Sequence, residues 1–195
     1  LVGLTLPTGG NIVVGDNDLT AMGSKSFVEN GVAHIPEDRH ERGCAADQSV
    51  ARNAVLKNYR KFSENGLMDY NSVDEYADAL VKEFDIRGVP NTDVTTGGLS
   101  GGNLQKLIVG REIDRDPDLL VANQPTRGVD VGAIESLQEY ILKQRESGTG
   151  VVLFSEDLDE ILSLSDRILV MYEGEIVYEC PAEAASHERI GLEMT

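Results

Sequence analysis

The chain has 195 residues, 41% hydrophobic and 26% charged, enough for one sizeable globular domain with room for a lobe. Its 34 acids against 17 bases leave a formal charge of −17, dispersed along the chain, and such a surface repels phosphate backbones and anionic lipid head groups. That argues against a nucleic-acid partner and against direct lipid insertion, and no apolar run approaches the ~20 residues that span a bilayer.

In chain order, LPTGGNIVVGDNDL predicts a turn, a short strand at Ile12–Val14 and another turn. The apolar run Val32–Ile35 predicts a strand that stops at Pro36. From about Gln48 to Glu112 the texture is helical. In SVDEYADALVKEFDI, Val73, Tyr76, Ala77, Leu80, Val81 and Phe84 form one helical stripe, with Ser72 and Glu75 as a capping box. A second helix follows GGLSGG, with Leu104, Leu107 and Ile108 on its apolar face. Leu119–Ala122 then predicts a buried strand, Ile134, Leu137 and Ile141 an amphipathic helix ending near Gly148, and Val151–Phe154 another strand. Leu158–Leu164 predicts a short helix, and Ile168–Met171 with Glu175–Tyr178 a hairpin turned by Glu173-Gly174. Strands alternating with helices imply an α/β fold with a mostly parallel sheet and a helical insertion. The expected divisions are residues 1–47 as N-terminal strands and loop, 48–116 as the helical lobe, 117–180 as the α/β core and 181–195 as a tail.

Cys44 and Cys180 lie far apart without a CxxC, and His34, His40 and His187 have no ligand spacing, so neither a metal site nor a disulfide framework is expected. The chain opens LVGLTLPTGG with no basic leader, which points to a reducing, cytosolic setting. The most informative stretch is LSGGNLQK at 99–106. Glycines let other groups approach the backbone, and a helix start with a hydroxyl makes an anion cradle. Ser-Gly-Gly alone is simply a helix cap after a turn. The context adds PDLLVANQPTRGVDVGA and VVLFSEDLDEILSLSDRILVMYEGEIV at strand, turn and helix spacing.

Together these stretches resemble the ATP-binding-cassette family, whose signature is LSGGQ-like and whose Walker B strand ends in Asp-Glu-Pro-Thr. LSGGNLQK, QPTRGVDVGA, IPEDRHERG and SEDLDEILSLSDRI are similar to the second cassette of the tandem ATPase subunit of bacterial simple-sugar and nucleoside importers. The resemblance implies a P-loop NTPase-like core with a helical signature lobe, and two cassettes closing head to tail around ATP with Mg²⁺. Ser100, Gly101, Gly102 and, on the same helix face, Gln105 would then contact a nucleotide held mainly by the partner cassette. Gly128 and Asp130 match the loop that crosses the interface. Four positions depart from the family's hydrolytic pattern: Asn123 for the metal-holding Asp, Gln124 for the catalytic Glu, Glu37 for the usual Gln and Glu156 for the switch His. An amide is a poor ligand for a hard cation and has no useful basicity, so the chain's own site reads as degenerate, with no catalytic residue intact and no metal held.

The P-loop pattern GxxxxGK[ST] occurs nowhere in the 195 residues. By the resemblance the core is expected to lack the P-loop strand and helix, leaving apolar surface and strand edges exposed. The implied function is the energy-coupling subunit of an importer, peripheral to the inner face of the membrane, with a permease whose coupling helix docks near Glu37–Gly43. Two alternatives stay open: a non-catalytic interaction module of a transporter, and a DNA-repair-type cassette. The second lacks support, since neither a basic track nor heptad arms are present.

Overall fold

A computed structural model describes residues 2–193. The chain forms two compact units, residues 1–152 and 153–195. The helix that carries the signature packs on the central sheet as well as on its helical neighbours.

The first unit begins with a two-stranded ribbon, β1 (Val13–Val14) and β2 (Asn17–Asp18), and a short helix, α1 (Ser24–Glu29). Next comes β3 (Val32–Ile35), ended at Pro36, then a wide π-type turn over Arg39–Gly43 and the helix α2 (Val50–Ala54). A small ribbon, β4 (Ser63–Glu64) with β5 (Leu67–Met68), leads into α3 (Tyr70–Glu83). Its apolar stripe is the expected one: Val73, Ala77, Leu80 and Phe84 are buried. Its start is not. Asp69 accepts the N–H groups of Asn71 and Ser72 and so caps the helix at Tyr70, and the Ser72 hydroxyl donates to the same carboxylate at 2.6 Å. The Ser72–Glu75 capping box is therefore replaced by an Asp cap one turn earlier.

The helix α4 (Gly101–Ile113) follows, then β6 (Leu119–Asn123), α5 (Val131–Glu146) and β7 (Gly150–Phe154). The sheet order is β3-β6-β7, and β3 pairs in parallel with β6 from Val32↔Leu119 to Ile35↔Ala122. Parallel pairing follows from the long helical crossover between the two strands. Sequence periodicity suggests a one-faced α4, but every residue from Leu104 to Ile113 is buried. At Gly110 an added Cβ would lie 2.7 Å from the Phe84 ring, so α3 and α4 approach too closely there for a larger residue. β7 shows the opposite. GVVLF is apolar on both faces, as a strand covered on both sides would be, yet Val151–Leu153 are half-buried and Phe154 is 38% exposed.

α4 also carries charge into the core. Glu112, with a fully buried side chain, accepts from Lys57 Nζ at 2.9 Å, from the Arg111 guanidinium at 3.0 and 3.2 Å and from the His34 backbone N–H at 3.2 Å. Burial alone would raise its carboxyl, but Arg111 and Lys57 outweigh burial and hold it below the usual carboxylate range.

The second unit contains α6 (Leu158–Leu164), the antiparallel pair β8 (Arg167–Tyr172) and β9 (Glu175–Pro181), and α7 (His187–Glu193). Glu173 (φ 47°) and Gly174 (φ 86°) turn the hairpin, both left-handed as a two-residue loop requires. Its core is Ile168, Val170, Cys180 and Ile190. No helix among the described residues is long and apolar enough to cross a membrane.

Candidate functional site

The site lies where α4 begins. Ser100 has extended backbone angles, and its Oγ accepts from the Asn103 backbone N–H at 3.4 Å and from Asn103 Nδ2 at 2.9 Å. This is an N-cap, and it leaves the first-turn N–H groups of Gly101 and Gly102 without intrahelical partners. The two glycines have internal reasons as well. A Cβ on Gly102 would meet Asp130 Oδ2 at 2.7 Å and the Ala133 Cβ at 3.0 Å, and one on Gly101 would meet Arg39 Nη2 at 3.2 Å. The signature glycines therefore let the turn before α5 press against the start of α4.

That turn is 124–130. β6 ends at Asn123, and Gln124 takes a left-handed φ of 52°, a conformation that costs a non-glycine residue about 1–2 kcal/mol. Arg127 N–H bonds back to Gln124 O at 3.2 Å, Gly128 reverses the chain at φ 65°, and Asp130 caps α5 by accepting the Ala133 N–H at 3.0 Å. Gln105 is 1% exposed and donates from Nε2 to Pro125 O at 2.7 Å. It faces inward and braces the turn, whereas the resemblance implied a nucleotide contact for it.

Loop 37–43 meets the turn from the other side. Asp38 accepts the His40 and Glu41 N–H groups, both at 2.9 Å, and these bonds, the one from Glu41 foremost, draw its carboxyl below the usual range. Arg39 donates to the carbonyls of Arg127 and Gly128, and Arg127 forms an ion pair with Glu37. Ser100, Gly101, Gly102, Gln105, Glu37, Asn123, Gln124, Gly128 and Asp130 thus all belong to the first unit. Glu156 belongs to the second, exposed just before the Asp157 cap of α6.

The donor chemistry is lopsided. The helix start suits an anion, with two N–H groups that lack intrahelical partners at the positive end of a 13-residue helix. The end of β6 does not suit the Mg²⁺ that accompanies ATP in the family. Asn123 and Gln124 offer amide oxygens only, and the Glu37 carboxylate pairs with Arg127. Among the described residues no cluster of three or more His, Cys, Asp or Glu could hold a metal. Arg39 and Arg127 were not legible as site residues, because PEDRHERG and PTRGVD read singly as charged turns.

This combination is a glycine-rich helix start facing a capped turn at the end of a parallel strand. Solved ATP-binding cassettes superimpose on the chain. One is a dimeric cassette in a post-hydrolysis state bound to ADP and Pi, with a TM-score of 0.75 at 20% identity over 92% of this chain and 76% of that one. Another is the ATP-binding subunit of an ABC transporter, with a TM-score of 0.74 at 20% identity over 99% and 79%. No protein-family model matches the chain.

Sequence relatives narrow the class. The chain is 59% identical to the glucose import ATP-binding protein TsgD13 of Haloferax volcanii over 100% of its own length and 36% of that protein. It is 42% identical to the nucleoside import ATP-binding protein NupA of Lactococcus lactis (100% and 38%) and 35% identical to the ribose import ATP-binding protein RbsA of Clostridium tetani (93% and 36%). The chain belongs to the ATP-binding-cassette family, and it spans little more than a third of the length of these relatives.

Proposed function

We propose that the chain is the second-cassette part of the ATP-binding subunit of an importer for sugars or nucleosides, and that it supplies its signature turn in trans to a nucleotide held by a partner cassette. In this reading Ser100 Oγ and the Gly101 and Gly102 N–H groups donate to the γ-phosphate, and the α4 dipole favours the charge that develops there. These donors are fixed before the nucleotide arrives, so they need no reorganisation during the reaction. Asp130 and Gly128 face the partner across the interface. Asn123, Gln124, Glu37 and Glu156 leave this cassette's own side silent: Gln124 cannot take a proton from water, and Asn123 offers no carboxylate to a cation.

The observation that carries the reading is the contrast at one junction, an open and correctly capped helix start beside a strand end stripped of acids. The names of the relatives support glucose, ribose or nucleosides as the class of cargo. The permease would dock at the Glu37–Gly43 loop, which places the subunit on the cytoplasmic face of the membrane.

Two measurements test this. The chain mixed with ATP and Mg²⁺ should release no phosphate above background; robust turnover would sink the reading. In the assembled transporter, Ser100→Arg should lower ATP turnover on the order of 10²-fold, the effect of removing a preorganised anion donor. Unchanged turnover and transport would favour a non-catalytic interaction module instead.

A further inference from the structure

Two loops 88 residues apart in sequence hold each other at the candidate interface. From the π-type turn, Arg39 Nη1 donates to Arg127 O at 2.6 Å and Nη2 to Gly128 O at 2.8 Å. In return, the Arg127 guanidinium pairs with the Glu37 carboxylate. The two directions are not equal in strength. The Arg127–Glu37 pair has both side chains more than half exposed, and such pairs contribute little. Arg39 makes two charge-assisted bonds from a planar fork to neighbouring main-chain oxygens, an arrangement that fixes direction as well as distance. Its Nε is buried without a hydrogen-bond partner among the described residues, while the residue as a whole is half-buried. The same Nη2 lies 3.2 Å from where a Gly101 Cβ would stand and 3.1 Å from a Gly128 Cβ. One side chain of loop 37–43 therefore lies against both the signature turn and the turn before α5.

We propose that Arg39 is a positioning residue: it locks the 124–130 turn, and with it Asp130 and the α4 start, to loop 37–43, so that a displacement of that loop moves the turn with it. The structural half stands on the contacts alone. The functional half rests on the interface reading above, in which the loop faces the permease and the turn faces the partner cassette. Arg39 touches no reacting atom in that reading.

The test uses Arg39→Ala and Arg39→Lys. By hydrogen exchange of the chain, the Val129 amide, which donates to Thr126 O, and the Arg127 amide should open about tenfold faster in Arg39→Ala. Amides inside α4 should be unchanged, and Arg39→Lys, whose ammonium can serve one carbonyl, should fall between. Exchange in the turn equal to wild type overturns the proposal. So does uniform acceleration that includes α4 in both variants, since Arg39 would then be a general stability residue. In the full-length subunit assembled with its permease, Arg39→Ala should lower kcat for ATP about tenfold with KM within twofold, and Arg39→Lys should recover part of the loss. A loosened turn with unaltered kcat in an active transporter overturns the functional half. A wild-type transporter without ATPase activity would instead remove the interface reading itself and leave the exchange data to decide the contacts.

Discussion

The two ends of α4 solve opposite problems. At its start, Ser100, Gly101 and Gly102 are uncharged and small, Ser100 is exposed while Gly102 is buried, and the first N–H groups have no partners within the helix. At its end, Arg111 and Glu112 are charged and buried, and Glu112 is surrounded by Arg111, by Lys57 and by Arg115 just beyond the helix. The first end is made of small residues against which Asp130, Ala133 and Arg39 pack closely. The second is crowded with charged side chains gathered around one carboxylate. One helix thus anchors itself by its last turn and presents its first.

Breaking the buried end should have the largest effect. Glu112→Ala removes the shared acceptor and strands Lys57 and Arg111, and should destabilise the chain by about 3–5 kcal/mol in urea unfolding. A loss under 1 kcal/mol would mean that the cluster is solvated and the contrast false. At the open end, Gly102→Ala drives a methyl onto Asp130 Oδ2, and should cost about 1–3 kcal/mol despite the better helix propensity of alanine. If it stabilises the chain, the turn before α5 is not pressed against α4. Asp130→Ala removes only the α5 cap, worth about 1 kcal/mol, readable as a shift in the thermal midpoint.

The smallest effect is a pH slope at the closed end. Burial foremost, helped by the charge of Lys57 and opposed by Glu112, holds the His34 imidazole below its ordinary 6.5. The folded state therefore prefers neutral His34. Its contribution is fully present above about pH 6.5 and declines as the pH falls from there toward the lowered folded value. The depressed carboxyl of Glu112 adds a separate loss at lower pH, below its ordinary 4.5. His34→Gln should flatten the first slope and leave the second. A variant with the wild-type profile would remove His34 from the account.

Much of this architecture is legible in the letters. The stripe from Val73 to Phe84, the strand Val32–Ile35 closed by Pro36 and the Glu173-Gly174 hairpin each follow from period, breaker or turn chemistry acting locally. The all-round burial of α4 is not legible, because Lys106, Arg111 and Glu112 read as a solvent face until partners from distant segments enclose them. Ser72 looks like a helix cap only if Asp69, one turn earlier, is overlooked. In the site, the motif letters are plain, while Arg39 and Gln105 are invisible as braces. Their partners are backbone carbonyls 88 and 20 residues away, and a carbonyl leaves no mark in a sequence.

The turn after β6 has a further consequence. Its braces reach Pro125 O, Arg127 O and Gly128 O, which are main-chain atoms that every sequence possesses. These three bonds use no side-chain atom of the neighbouring positions 123 and 124. Asn123→Asp with Gln124→Glu would therefore place two carboxylates beside a turn whose braces neither substitution touches.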